Sequence, residues 1–444
     1  MNTSKTVFGG MMGLLAGLSL GLFAVPASAQ FGPILSGTGP INRSMGGAAT
    51  AAPLSASGAL LWNPASLAGL DRSELDVGAE LLVPHARVSS SVGPFTGTTE
   101  NQDAVFALPT IALAYRPEQS PFTYGLGVFA VAGFGLDYPG SALAPGANPI
   151  LLPQPFGLGP IFSQYQVLQV APALVYSVND QLSVSFSPLL DIGMAQLDPA
   201  VYADPVLGVY PPGTHSRTAW GGGFSLGAYY EADAWAFGAS YKSKQWFQSY
   251  QVNTIDALNM PSVAHFSLDL PSIVSVGTSY KGLDRWLLAA DLRYLDFSNT
   301  GAFGDSGFSP TGALQGVGFQ SIFVVALGAQ YQLTDALVVR AGYSWSENPI
   351  PNSQTTASVA SPLVIQNILS VGTSYQLTDA FVVSMAYMHS FENSISGPIV
   401  LPGGAIPGSS ITNTASADSL LIGATVKFGC PKSRVPCATT TNTY

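Results

Sequence analysis

Glu74-Leu75-Asp76-Val77-Gly78-Ala79-Glu80-Leu81-Leu82-Val83 is the stretch on which the fold turns. Leu75, Val77, Ala79, Leu81 and Val83 fall on every second residue, and Glu74, Asp76, Gly78 and Glu80 take the positions between. Side chains of a β-strand point alternately to its two faces, so this segment reads as a strand with one face in an apolar medium and one in a polar medium. The pattern recurs downstream. Trp286, Leu288, Ala290, Leu292 and Tyr294 are expected outward with Asp291 and Arg293 inward; Leu337, Val339, Ala341, Tyr343 and Trp345 outward with Arg340 inward. Leu420, Ile422, Ala424, Val426 and Phe428 form the last such face.

Composition says what the apolar medium is. Charged residues make up 9% of the chain, where a soluble domain carries roughly 25%. Yet beyond the N-terminal segment no long apolar run escapes interruption by Pro, Gly or polar residues, which excludes membrane-spanning helices. A closed β-barrel is the remaining way to put an apolar exterior into lipid, because it pairs every backbone N–H and C=O internally. With 15 basic against 25 acidic residues, nucleic acid is not an expected partner.

Fourteen strands are expected, near 73–88, 104–116, 122–136, 163–177, 181–196, 217–231, 234–250, 265–281, 285–297, 319–332, 336–347, 363–376, 380–392 and 418–428. An even count is what single-chain bacterial barrels require. Links at Pro117–Pro121, Val178–Asp180, Ala232–Asp233, Gly282–Asp284, Leu333–Asp335 and Leu377–Asp379 are short. Those near 89–103, 137–162, 197–216, 251–264, 298–318, 348–362 and 393–417 are long, and the two kinds alternate without a break. Short periplasmic turns and long external loops give that alternation, with both ends of the barrel in the periplasm. The echo of Tyr331-Gln332-Leu333-Thr334-Asp335-Ala336 in Tyr375-Gln376-Leu377-Thr378-Asp379-Ala380 does not propagate, so it marks two similar hairpins rather than propeller blades.

The ends carry their own signals. Lys5, the apolar stretch Val7–Val25 and Ala27-Ser28-Ala29 read as a cleaved export signal over residues 1–29, placing the mature chain in the bacterial outer membrane. A periplasmic tail is expected over 429–444. Its Cys430 and Cys437 could close a small disulfide loop in an oxidising compartment; with no His nearby they are no metal site. Residues 30–72 lack the alternation but are too apolar for a disordered tether. The barrel is expected over 73–428, and its lumen is the interior on offer for that segment.

Trp62-Asn63-Pro64-Ala65 followed by Leu67-Ala68-Gly69-Leu70, within the stretch from Ala48 to Val83, resembles the hatch and first strand of the long-chain fatty acid and aromatic hydrocarbon transporters, the FadL/TodX family. Later stretches agree in order: Gly125 and Gly127 through Phe134-Gly135, Leu270-Pro271 through Ser275-Val276-Gly277-Thr278-Ser279-Tyr280, and Val339-Arg340-Ala341-Gly342-Tyr343 to Asn348-Pro349-Ile350-Pro351. The resemblance implies an all-β, fourteen-stranded antiparallel transmembrane barrel with an N-terminal hatch, or plug, in its lumen. It also implies an apolar entrance groove among the external loops and an inward kink of the third strand opening a side exit into lipid. Asn63, Pro64 and Ala65 are then the hatch motif, and Gly133, Phe134 and Gly135 lie where the kink belongs.

Loop 137–162 is unusually apolar, and Leu152, Phe156, Leu158, Ile161 and Phe162 are candidates to collect a hydrophobic solute; packing of the loop on itself or on lipopolysaccharide is the plainer alternative. The expected function is passive uptake of long-chain fatty acids or related hydrocarbons and aromatics, without cofactor or metal. Outer-membrane lipid, lipopolysaccharide and the barrel assembly machinery are expected partners of a monomer. Arg340, Arg217, Lys242 and Lys244 could anchor a carboxylate or simply fill the lumen paired with acids, and loop 298–318 offers only Asp305. A porin would need rings of charge that this chain is too poor in charge to supply. A hydrolase is the enzyme alternative. Its signals are Gly223-Phe224-Ser225-Leu226-Gly227, set inside an alternating strand where a nucleophile elbow needs a sharp turn, and Gly304-Asp305-Ser306-Gly307 with no paired His. No catalytic residue is assigned.

Overall fold

The computed structural model describes residues 30–431 except 103, 214–216 and 257. The export signal and Cys437 lie outside the described residues; Cys430 sits just past the last strand. Fourteen long antiparallel strands form the wall: β1 (Ser73–Val92), β2 (Phe106–Tyr115), β3 (Phe122–Tyr138), β4 (Ile161–Ser177), β5 (Leu182–Asp198), β6 (Ala219–Ala232), β7 (Trp235–Lys242), β8 (Ser272–Tyr280), β9 (Trp286–Asp296), β10 (Ile322–Gln332), β11 (Leu337–Ser346), β12 (Asn367–Thr378), β13 (Phe381–Gly397) and β14 (Ser410–Phe428). Neighbours in sequence pair, and β14 pairs back onto β1 from Ser410–Ser91 to Phe428–Ser73, which closes the sheet and leaves no edge. Among the described residues no helix is long and apolar enough to cross a membrane.

Side-chain exposure follows the alternation. On β1, Val77 and Leu81 are 44% and 47% exposed on the outer wall, whereas Glu74, Asp76 and Glu80 are buried in the bore. Aromatic pairs cluster where the strands meet the short turns: Trp235 against Tyr280 (4.5 Å between ring centres), Trp286 against Tyr331 (4.7 Å) and Phe122 against Tyr176 (5.3 Å). Rings that are apolar with a polar tip settle at a lipid–water boundary.

Four strand boundaries differ from expectation by five residues or more; among them, β8 starts at Ser272 rather than near 265 and β13 runs on to Gly397 rather than ending near 392. The ladder of β7 stops at Lys242, and residues 250–255 pair instead with 261–266 in a separate hairpin at the long-loop end. Strand β14 begins at Ser410, eight residues before the expected start, because Ser410–Ala417 continue the ladder with a hydroxyl-rich outer face. Above the lipid, backbone pairing persists while the hydrophobic alternation that reveals it fades.

Residues 30–72 fill the bore. They comprise a short hairpin (Gln30–Phe31 with Ile34–Leu35), α1 (Gly39–Ser44), α2 (Ala56–Trp62) and a 3-10 turn (Pro64–Gly69), almost wholly buried. Asn63 ends α2 and starts the turn: its Oδ1 accepts from the Ala65 N–H, while its Nδ2 donates to the carbonyls of Thr50 (2.7 Å) and of Ala228 on β6 (2.9 Å). Pro64 occupies the first position of the turn, where a missing N–H costs nothing. Gly238 of β7 allows the close approach, since a Cβ there would collide with the Thr50 carbonyl oxygen.

Candidate functional site: a seam, two uncharged cavities and an anchored hatch

The inward carboxylates of β1 hold the hatch. Glu74 accepts from the Ala56 N–H (2.6 Å) and Asp76 from the Ser57 N–H (3.0 Å), so the first turn of α2, whose N–H groups have no partner within the helix, docks on the wall. The Ser55 hydroxyl takes the Gly58 N–H. Glu80 receives three hydrogen bonds from the buried Arg43 guanidinium, the shortest 2.8 Å. Across the bore, Asp291 accepts from the N–H groups of Ala49 and Thr50, from the Thr50 hydroxyl and from Arg293 (2.5 Å). Arg293 also donates to the Gly47 carbonyl and lies 3.7 Å from the centre of the Trp62 ring.

The wall has one irregular joint. The β2–β3 ladder runs only from Tyr115–Tyr124 to Thr110–Phe129, whereas the β3–β4 ladder continues to Tyr138. Val131 is an extra residue relative to β4, the register passing from Ala130–Leu168 to Ala132–Val167. Such a bulge bends its strand away from one neighbour. Into the seam left between β2 and β3 the hatch inserts its N-terminal hairpin: Ile34 pairs with Ala132, and the Gly133 N–H donates to the Pro33 carbonyl (3.0 Å). Phe31, Ile34, Phe106, Phe129 and Val131 are buried together there.

Above the seam lie two adjoining cavities. The inner one has a volume of about 50 Å³ and is faced by Phe134, Tyr165, Tyr202, Phe266 and Phe303. The outer one, also about 50 Å³, is faced by Leu158, Ile161, Tyr210, Phe308, Val359 and Leu401. Leu197, Val201, Leu314, Ala357 and Ala360 border both, so the two communicate along a shared wall. Among the described residues no Lys, Arg, His, Asp or Glu lines either. Ring contacts link Phe134 to Tyr165 (5.4 Å), Tyr165 to Tyr250 (6.1 Å), Tyr250 to Phe266 (5.6 Å) and Phe266 to Tyr202 (4.7 Å), a continuous aromatic surface from the loops to the bulged strand. Burial, and secondarily the charge of Asp305, pushes the Tyr202 phenol up; burial does the same to Tyr210. Both phenols stay neutral. The loops forming these walls are tied together: the Tyr210 N–H donates to Gln154 Oε1 (2.6 Å), its hydroxyl to the Gly312 carbonyl (2.8 Å), and the Leu314 N–H to the Val201 carbonyl (2.8 Å).

Of the loop residues singled out from sequence, Leu158 and Ile161 line the outer cavity. Leu152 is buried away from both cavities, Phe162 is half-buried outside them, and Phe156 stands 83% exposed at the loop tip. Ile150 and Leu151 pack with Val88, Tyr138, Val359 and Ile411, so part of the loop's apolar character serves its own packing. Phe134 is both a seam residue and a cavity residue; Gly133 bonds the hatch, and Gly135 continues the β3–β4 ladder. The remaining lining residues were not anticipated. Tyr165 carried a signal, being apolar at an inward position of β4, but Val201 and Tyr202 come from an irregular loop, and Leu314 and Val317 from a four-residue strand within a loop, where no periodicity points. Ser225 of the Gly223–Gly227 stretch sits mid-strand, opposite Lys242 on one side and Ser187 on the other. Among the described residues no cluster of three His, Cys, Asp or Glu is placed to hold a metal.

Residues 21–429 match the model of a family described as outer membrane protein transport protein (OMPP1/FadL/TodX). The fold is similar to those of a Pseudomonas aeruginosa FadL homologue (TM-score 0.69, 16% identity, covering 90% of this chain and 100% of that one) and the Pseudomonas putida toluene transporter TodX (0.64, 17%, 88% and 99%). It is likewise similar to that of the Ralstonia pickettii toluene transporter TbuX (0.63, 20%, 89% and 99%). No curated protein sequence matches the chain.

Proposed function

From the premise that the chain belongs to the outer membrane protein transport protein family (OMPP1/FadL/TodX), we propose that it takes up neutral hydrophobic molecules, aromatic or aliphatic, in preference to fatty acid anions. The observation that carries this reading is the uncharged lining of both cavities. A carboxylate entering them would leave water without a counter-charge, a cost of several kcal/mol. An apolar solute gains about 0.8 kcal/mol for each methylene it buries. The relatives whose names give a cargo, TodX and TbuX, are called toluene transporters, which agrees with the neutral choice.

In this reading Leu158 and Ile161 receive the solute from outside, the shared wall passes it inward, and the aromatic surface ending at Phe134 brings it to the bulge of β3. Exit is sideways through the seam at Gly133, Phe134 and Gly135, where withdrawal of the 30–35 hairpin would free a path into lipid. Two arguments support that direction: the truncated β2–β3 ladder and a hatch bonded to the wall on opposite sides of the bore. The mechanism uses no catalytic group and no energy source, and the concentration gradient drives it.

The test is uptake by lipid vesicles carrying the purified protein, with toluene and oleate offered at equal aqueous activity. Protein-dependent entry of toluene well above that of oleate is expected. Equal or greater entry of oleate overturns the preference, and equal entry of a sugar points to the porin alternative.

A further inference from the structure

The bore contains buried arginines of two kinds. Arg43 meets Glu80 and Arg293 meets Asp291, each at hydrogen-bond distance. Lys244 similarly meets Asp269 at 3.0 Å, and Lys242 donates to Gln169, which itself binds Asp191. Arg340 on β11 is different. It is 9% exposed, and among the described residues its guanidinium bonds only neutral acceptors, Gln330 Oε1 (2.8 Å, from Nε) and Ser374 Oγ (2.6 Å, from Nη1). A buried cation is ordinarily matched by an anion.

Arg340 borders a third cavity, about 240 Å³ in volume, between the hatch and the wall at the short-turn, periplasmic end. Arg72 and Lys427 line the same cavity. Its two acids are already engaged: Asp71 lies 3.6 Å from Arg72, and Glu74 accepts from the Ala56 N–H. The rest of the lining mixes amides and hydroxyls with apolar groups, Ile41, Leu54 and Leu70 from the hatch and Val382 from the wall. No hatch residue lines either of the two uptake cavities, so this space lies on the other side of the plug.

We propose that this cavity is a periplasm-facing binding site for a small amphiphilic carboxylate, with Arg340 as its anion-binding residue. A guanidinium offers donors in a planar fork that fits a carboxylate, and Gln330 and Ser374 hold that fork in place from one side. Arg72 and Lys427 add positive charge along the same lining. A short alkyl or aryl group would rest on Ile41, Leu54 and Val382, so the bound molecule would bridge hatch and barrel. The site stands independently of the uptake reading, whose cavities are uncharged.

The test is calorimetric titration of the full-length protein in zwitterionic lipid nanodiscs with octanoate, 1-octanol and inorganic phosphate. Saturable octanoate binding that weakens about tenfold in Arg340→Gln, with 1-octanol unaffected and phosphate a poor competitor, is expected. Arg340→Lys should keep part of the affinity. Octanoate binding that survives Arg340→Gln, or that phosphate displaces at equal concentration, overturns the proposal. Should Arg340→Gln fail to fold, the phosphate competition in the unmodified protein decides alone. Toluene uptake by Arg340→Gln vesicles should match that of the unmodified protein, which separates failure here from failure of the uptake reading.

Discussion

The hatch–wall contact and the external cavities are built from opposite chemistry inside one barrel. The hatch is held by charge: Glu74, Asp76 and Glu80 on one side and the Asp291–Arg293 pair on the other, all buried and all in hydrogen bonds. The cavities, formed by loops and the upper ends of strands, present no charge among the described residues. Charged hydrogen bonds fix one geometry because their alternatives are costly once buried. Apolar contacts are non-directional and tolerate rearrangement. In the proposed mechanism each region has its part: the plug body stays, solute slides over greasy loops, and movement is confined to the hairpin 30–35, which meets β3 through the Ile34–Ala132 pairing and the Gly133–Pro33 hydrogen bond.

The largest expected effect comes from attacking the charged side. Asp291→Ala removes the acceptor of Ala49, Thr50 and Arg293 together and leaves a fully buried guanidinium without its acid. A loss of about 3–5 kcal/mol is expected, read as a lowered melting temperature in detergent with the segment around Trp62 newly open to protease. An unchanged melting temperature with a protected hatch would mean the anchoring assigned to Asp291 is not there.

Next comes the joint between the two regions. Deleting Val131 removes the extra residue without shifting either half of β3 against β4, because the register on both sides of the bulge is otherwise continuous. The strand should then straighten, extend its ladder with β2 and displace Ile34. Toluene uptake is expected to fall to the level of protein-free vesicles while the barrel remains folded by circular dichroism. Uptake at the original rate would exclude the seam as the way out.

What could be read from residues alone divides along the same line. Strands such as Ser73–Val92 and Trp286–Asp296 announce themselves, since lipid on one side and a polar bore on the other impose a period of two on the sequence. The hatch was legible through the apolar content of residues 30–72 and the family resemblance around Asn63-Pro64-Ala65, not through the turn that Asn63 and Pro64 build. The roles of Glu74, Asp76 and Glu80 were half legible: alternation placed them inward, but their partners Ala56, Ser57 and Arg43 are set by how the hatch folds. The cavity walls were least legible. Val201, Tyr202 and Leu314 meet only because loops far apart in sequence cross-bond over the bore, and a loop's apolar residue looks the same whether it packs, lines or protrudes.

Loop 137–162 gives the finest test of that last point, with the smallest expected effects. Leu158 lines the outer cavity and Phe156, two residues away, projects from the loop tip. Leu158→Ser removes roughly 1.5 kcal/mol of apolar contact from a solute seated there, so half-saturation for toluene uptake should rise about tenfold. Phe156→Ser should leave both half-saturation and stability within about 0.5 kcal/mol of the original, as exposed positions generally do. If Phe156→Ser impairs uptake as much as Leu158→Ser, solute is gathered at the loop tips before it reaches the cavity, and the receiving surface extends further into the external medium than the two cavities themselves.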